Sequence, residues 1–105
     1  MSITLCGKYD AEGPYTSTDK LQDRSGVYTI LTRAKSTDKW TVIDAGESSG
    51  LKSRIENHDR EGCWGRHNKG TVAVAPYYTP SKQQAGRRAI EQEIRDTYNP
   101  ACGVR

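Results

Sequence analysis

The amino-acid sequence predicts an α/β domain of the α+β kind, with a small three-stranded antiparallel sheet flanked by helices and an N-terminal extension. Two observations lead to this prediction. Three short runs alternate in the way half-buried strands do, and two other segments repeat apolar residues every four positions, as amphipathic helices do. The length of 105 residues suits one domain, 1–105, which we divide into an arm (1–25), a core (26–100) and a tail (101–105).

The N-terminal arm carries the weakest pattern. The run "ITLCGKY" predicts one strand at a sheet edge, and the glycine, proline and polar residues that follow it predict a loop.

The three strands of the core are predicted from "GVYTILT", "WTVIDAG" and "TVAVAPYY". In the first, Tyr28 and Ile30 point to one face of the sheet, and the odd-numbered residues point to the other. The second run follows after a polar connection, which favours antiparallel pairing with the first. Pro76 places the third run at an edge or a strand end, because proline cannot donate a ladder hydrogen bond.

A first helix is predicted after the second strand, with Ser49 as its cap. Leu51 and Ile55, four residues apart, form its buried stripe, and Arg54 and His58 form a neighbouring stripe. The segment 59–70 is rich in glycine and charge, which predicts a loop.

The last helix is predicted to begin at Thr79 and Pro80, with Ser81 and Gln84 as a capping box. Its stripe consists of Ile90, Ile94 and Tyr98. Asn99 and Pro100 end the helix.

Composition narrows the function classes only slightly. The net charge of +3, from 16 basic and 13 acidic residues, permits a nucleic-acid partner but does not require one. The chain has no apolar run approaching the ~20 residues of a membrane helix, so no membrane association is expected. Cys6, Cys63 and Cys102 are odd in number and widely spaced, which predicts reduced thiols and an intracellular, cytoplasmic location.

Several short patterns occur in the order and spacing that resemble the GIY-YIG nuclease domain. They are "GVYTI" at 26–30, "DAG" at 44–46, Arg54, His58, and Glu91 nine residues before Pro100. The resemblance implies a metal-dependent endonuclease that hydrolyses DNA phosphodiester bonds with Mg²⁺ or Mn²⁺. It implies four catalytic residues, namely Tyr28, Arg54, His58 and Glu91. Glu91 would hold the metal, and Gly26 and Gly46 would be structural parts of the two motifs.

The chemistry of phosphodiester cleavage suits these residue types. The reaction needs a base or a positioned water, positive charge at the phosphate and stabilisation of the leaving oxygen. Tyr28 would serve the first need, Arg54 the second, and a divalent ion on Glu91 the third. One carboxylate with several waters is typical of Mg²⁺.

Two residues depart from the family pattern. Asp44 stands where the second motif usually has tyrosine, and Glu47 follows the motif glycine where lysine or serine is common. Asp44 cannot act as a phenol, whereas Glu47 would repel a phosphate unless it bound metal or turned away. A domain of the same fold that binds nucleic acid without cutting it is therefore an alternative function, and a protein-interaction module is another.

Three of the implied catalytic residues also have ordinary structural interpretations. Arg54 would pair with a nearby carboxylate, Tyr28 would be a core aromatic, and His58 would be a cation favoured by a helix C-terminus.

Glu91 has an alternative role and a competitor. Arg87 and Arg95 lie four residues to either side and would make helical ion pairs with it. Glu93 is also a candidate metal ligand, and only the spacing to Pro100 selects Glu91.

A basic and aromatic set provides candidate nucleic-acid contacts, with DNA as the expected partner. The set is Lys52, Arg60, Trp64, Arg66 and Lys69. A solvated loop anchored by a buried Trp64 fits the pattern equally well. Zinc binding is disfavoured because the cysteines and histidines, Cys63, His67, Cys102 and His58, contain no Cys-x-x-Cys pair.

Overall fold

The computed structural model describes residues 2–103, which contain five strands, three α-helices and a short 3-10 helix. The strands are β1 (Ser2–Leu5), β2 (Tyr9–Glu12), β3 (Gly26–Arg33), β4 (Thr41–Ser48) and β5 (Thr71–Tyr78). The helices are α1 (Leu51–Glu56), α2 (Glu61–Arg66) and α3 (Gln84–Tyr98), and the 3-10 helix is Thr18–Lys20. No helix in this described part is long and apolar enough to cross a membrane. A cytoplasmic location stays a prediction.

The central sheet confirms the predicted core. β3 lies between β4 and β5, and both pairings are antiparallel. Ile30 pairs with Asp44 and Leu31 with Val42, so Ile43 is the extra residue of a β-bulge in β4.

Each face of the sheet carries its own apolar core, because side chains alternate along β3. Val27 and Leu31 pack with Ile90 and Ile94 of α3 and with residues of the N-terminal strands. On the other face, the buried residues come from the sheet, α1, α2 and the segments beside them, namely Leu21, Tyr28, Ile30, Ile43, Leu51, Ile55, Trp64, Val74 and Cys102. The three-stranded sheet is thus covered on both sides.

Both edges of the sheet are protected from further strand pairing. At the β4 edge, the Ile43 carbonyl accepts a hydrogen bond from the Cys102 amide at 2.8 Å, and the Ala45 carbonyl accepts one from the Arg95 guanidinium. At the β5 edge, Tyr15 and Val74 exchange two backbone hydrogen bonds of 2.8 Å. The edge position of β5 agrees with its proline.

The N-terminal arm differs from the prediction of one edge strand followed by a loop. β1 and β2 pair with each other as an antiparallel hairpin and form a separate two-stranded sheet. Cys6 and Gly7 both have positive φ, at 55° and 68°, and let the chain reverse between the strands. The sequence pattern missed this hairpin because its strands have only four residues each.

The predicted helix boundaries also need correction. Gly50, not Ser49, is the N-cap of α1, and α1 ends at Glu56, so His58 lies beyond the helix. α3 begins at Gln84, after Thr79 and Pro80, and lacks a side-chain cap, although it ends at Asn99 as predicted.

The predicted loop 59–70 contains α2, a helix of six residues. This helix carries Cys63, which forms a disulfide with Cys102 in the tail. The expectation that all cysteines are reduced is therefore wrong for this pair, and Cys6 alone is free among the described cysteines. Because Cys63 and Cys102 are 39 residues apart in the sequence, no local pattern predicts that they pair.

Candidate active site around Tyr28

The site centres on a hydrogen-bonded pair, the Tyr28 phenol and the Nε2 atom of His58. Tyr28 lies in β3 directly opposite Gly46 of β4. A Cβ atom at Gly46 would overlap the Tyr28 ring, so only glycine lets the ring lie across the neighbouring strand. Gly26 is also needed, because a Cβ there would lie 2.5 Å from the Tyr77 carbonyl oxygen.

The hydrogen bonds of His58 fix its tautomer. The Arg60 amide donates to Nδ1 at 3.0 Å, so this nitrogen carries a lone pair. Burial, together with the positive charges of Arg54 and Arg60, lowers the pKa of His58 to about 4. The imidazole is therefore neutral at pH 7, and its proton lies on Nε2, from which it donates to the Tyr28 oxygen.

The phenol of Tyr28 is also neutral at pH 7. Burial raises its pKa to about 12, and the negative charges of Asp44 and Glu91 act in the same direction. The positive charges of Arg60 and Arg54 partly oppose that rise. Arg54 and Glu91 therefore lie close enough to Tyr28 for both charges to act on one phenol.

Arg54 lies at the exposed rim of this site. Its Nη2 atom donates to the Asp59 carboxylate at 3.0 Å, and 36% of its side chain is exposed. The structural interpretation of Arg54, an ion pair with a nearby carboxylate, thus describes its present contacts. An exposed pair of this kind is weak enough for a phosphate to replace Asp59.

The two acidic candidates of α3 have different environments. Glu91 accepts a hydrogen bond from Arg95 at 3.1 Å and acts electrostatically on Tyr28. Glu93 instead bonds to Tyr9 at 2.6 Å and to Lys8 at 2.6 Å in the N-terminal hairpin. This difference gives a physical reason, besides the spacing to Pro100, for preferring Glu91.

Asp44 is the centre of a buried ionic network. Its carboxylate is fully buried and accepts from the Ala45 amide, twice from Arg60, once from Trp64 and once from Arg95. The closest donors are the Trp64 indole at 2.7 Å and the Arg60 Nε atom and the Ala45 amide, both at 2.8 Å. With these donors, Asp44 links β4 to α2 and α3, and its carboxylate does not face a substrate.

Glu47 turns towards α3. Its carboxylate accepts from the Arg87 Nε atom at 3.0 Å, and both side chains are 10% exposed. Arg87 therefore pairs with Glu47, whereas the sequence suggested Glu91 as its partner. Because Glu47 is neutralised inside the molecule, the repulsion expected from this departure does not arise.

The candidate nucleic-acid contacts separate into two groups. Trp64 is buried and its indole N–H donates to Asp44, so its environment is that of the buried anchor in the alternative interpretation and not that of a nucleic-acid contact. Arg60 also directs its guanidinium to Asp44. Arg66 and Lys69 are exposed and Lys52 is half-buried, so these three remain available to a phosphate backbone.

Glu91 has the donor atoms for one divalent cation. Its Oε2 atom bonds to Arg95, whereas Oε1 accepts no hydrogen bond from any residue in the described part of the chain. One carboxylate oxygen fits Mg²⁺ or Mn²⁺ that keeps several waters and also binds phosphate. No cluster of three carboxylates lies among residues 2–103.

One signal for the buried network is present in the sequence and was missed. Arg87 and Arg95 lie beside Ile90 and Ile94 on the buried stripe of α3. An arginine on an apolar stripe needs a buried partner, which predicts acidic residues on the facing strand. The identity of those partners, Asp44 and Glu47, follows only from the packing.

Comparisons with known proteins find no family model, curated protein or solved structure that matches this chain.

Proposed function

We propose that this chain is a metal-dependent endonuclease of the GIY-YIG type, which hydrolyses DNA phosphodiester bonds with Mg²⁺ or Mn²⁺. One observation carries the proposal: the buried Tyr28 phenol accepts a hydrogen bond from His58, whose Nδ1 atom in turn accepts one from the Arg60 amide. Tyr28, Arg54 and Glu91 have the side chains for the three functions that the reaction needs.

In this proposal, Tyr28 orients the attacking water. Its oxygen accepts the Nε2 proton of His58, and its second lone pair can accept from water. A neutral phenol does not remove a proton at pH 7, so Tyr28 positions the water rather than acting as a strong base. DNA binding must then open a path to the phenol, which is 1% exposed, through the irregular segment 57–60 beside it.

Arg54 and Glu91 act at the two places where negative charge develops in the reaction, the phosphate oxygens and the departing oxygen. The exposed guanidinium of Arg54 meets the phosphate oxygens, whose negative charge grows as the water oxygen bonds to phosphorus. Glu91 would hold the divalent cation, which supplies positive charge at the departing oxygen. Arg95, hydrogen-bonded to Glu91 at 3.1 Å, fixes the orientation of this carboxylate.

A second candidate function is a nucleic-acid-binding domain of the same fold that does not cut. The observation in its favour is the burial of the centre: Asp44 is surrounded by protein donors and Tyr28 is almost inaccessible. In that case the exposed residues Arg66 and Lys69 carry the function.

Nicking of supercoiled plasmid tests the proposal, with Glu91→Ala as the critical variant and Glu93→Ala as its matched control. Both substitutions remove a glutamate from α3, but Glu93 faces the N-terminal hairpin. We expect Mg²⁺-dependent nicking by the native chain and by Glu93→Ala, and a loss of about 10²-fold or more for Glu91→Ala. Equal nicking by all three proteins would refute the role of Glu91.

Arg54→Ala separates transition-state stabilisation from binding. We expect single-turnover cleavage to fall by about 10²-fold while DNA affinity changes much less, because Arg54 meets charge that develops during the reaction. Salt-dependent DNA binding without nicking would select the second candidate function. A chain that neither binds nor cuts DNA would contradict both candidates and favour a protein-interaction module.

A further inference from the structure

We propose that Cys63, His67 and Cys102 form a second metal site, which binds Zn²⁺ when the disulfide between the two cysteines is reduced. The ligand atoms of these residues lie within 4.8 Å of one another. Cys63 and His67 are one helical turn apart, on α2 and at its C-cap, and Cys102 approaches from the tail. The cluster shares no ligand with the proposed nuclease site, because His58 bonds to Tyr28 instead.

The chemistry of the three ligands selects zinc over magnesium. Two thiolates and one imidazole are the soft and borderline ligands that Zn²⁺ binds tetrahedrally. With Zn–S bonds of about 2.3 Å, the two sulfurs of such a site stand about 3.8 Å apart. Rotation of the cysteine side chains provides this separation, and a water takes the fourth position. His67 is exposed, so the metal has a path from solvent.

The backbone around the cluster is held by contacts other than the disulfide. The Cys102 amide donates to the Ile43 carbonyl at 2.8 Å, and its carbonyl accepts from Arg95 at 3.0 Å. On the other side, Trp64, which follows Cys63, is anchored to Asp44 at 2.7 Å. The two segments that carry the cysteines, α2 and the tail, therefore stay in place after the disulfide is reduced. The three ligands then remain close together, which lowers the entropy cost of metal binding.

The two states of the site exclude each other because they use the same sulfur atoms. A phosphine reduces the disulfide with one water, giving two thiols and the phosphine oxide. Zn²⁺ then displaces two protons from the thiols and accepts a lone pair from the His67 imidazole. In the reverse direction, a small-molecule disulfide accepts two electrons from the two thiolates, becomes two thiols after taking up two protons, and releases the metal as the protein disulfide forms.

Titration of the phosphine-reduced, desalted chain with Co²⁺ under anaerobic conditions tests this proposal. We expect one Co²⁺ per chain, with the near-ultraviolet thiolate charge-transfer band and the strong visible bands of a tetrahedral site, and displacement by Zn²⁺. The oxidised chain should show none of these bands. A reduced native chain without thiolate charge transfer would overturn the proposal.

Variants distinguish a three-ligand site from adventitious thiol binding. Cys102→Ser should halve the thiolate charge transfer and weaken Zn²⁺ binding, whereas Cys6→Ser, at the free cysteine outside the cluster, should match the native chain. His67→Ala changes an exposed side chain and should fold even if Cys102→Ser does not. It should weaken Zn²⁺ affinity at least about tenfold, since loss of a mere supporting contact already costs 10- to 100-fold at such sites. Unchanged affinity in His67→Ala would also overturn the proposal.

Discussion

Replacing Asp44 with asparagine should remove a large part of the stability of this fold. Asparagine keeps the size of the side chain but places an amide group where one carboxylate oxygen stood. If that group replaces Oδ2, it faces the Arg60 Nε and Trp64 Nε1 donors, and if it replaces Oδ1, it faces Arg95 and two other donors. In either orientation, buried N–H groups lose their acceptor.

The magnitude follows from the burial of the arginine that remains. The side chain of Arg95 is 3% exposed, and Asp44 is fully buried, so the substitution leaves a guanidinium with one charged partner fewer in the protein interior. Breaking a buried ion pair by removing one partner costs about 3–5 kcal/mol. For a domain whose free energy of unfolding is about 5–15 kcal/mol, this loss is severe.

Urea unfolding of the oxidised chain, followed by tryptophan fluorescence, measures the change. With an m value of about 1.5 kcal/mol/M, the midpoint should fall by about 2–3 M. Asp59→Asn is the matched control, because Asp59 also pairs with an arginine but is 74% exposed, and its midpoint should stay close to that of the native chain. A loss below about 1 kcal/mol for Asp44→Asn at an unchanged m value would refute the reasoning.

Three further predictions concern packing, protonation and DNA contacts. Gly46→Ala should destabilise the chain by about 1–3 kcal/mol, because the new Cβ atom would overlap the Tyr28 ring. Gly65→Ala, in open space on α2, should stabilise the chain by up to about 1 kcal/mol. The urea midpoints of these two variants should therefore lie on opposite sides of the native value. The pKa of His58 is lowered from its ordinary value of 6.5 to about 4, so the unfolded chain takes up a proton between these pH values and the native chain does not. Stability therefore falls as the pH drops through this window, and His58→Gln should make that fall less steep; identical pH slopes would contradict this. Arg66→Ala and Lys69→Ala should each weaken DNA binding for all sequences and reduce the slope of log affinity against log salt by about one, and unchanged slopes would exclude phosphate contacts by these side chains.

Much of the fold could be predicted because its signals are local and periodic. The alternation in β3 correctly separates Tyr28 and Ile30 from the opposite face, and the four-residue spacing of Leu51 and Ile55 correctly identifies the buried stripe of α1. The other short elements were missed. β1 and β2 have only four residues each, and α2, although as long as α1, contains two glycines and no apolar pair four residues apart.

The candidate site could be predicted only as a set of residue types. The resemblance to the GIY-YIG domain implied Tyr28, Arg54 and Glu91, but it did not specify the tautomer of His58, which depends on the Arg60 amide at 3.0 Å. Nor did it show that Trp64 is buried, because an aromatic residue in a charged segment has the same sequence pattern in either position.

The sequence by itself determined the three strands of the core and their order, the helices α1 and α3, and the two faces of the sheet. The tertiary structure alone decided that Asp44 joins two arginines and Trp64, that Glu47 pairs with Arg87, and that Cys63 meets Cys102 across 39 residues. The physical reason is the distance along the chain over which each kind of interaction acts. Side-chain periodicity is set by backbone geometry within a few residues, whereas ion pairs, disulfides and metal clusters depend on which distant segments the packing of the core brings together.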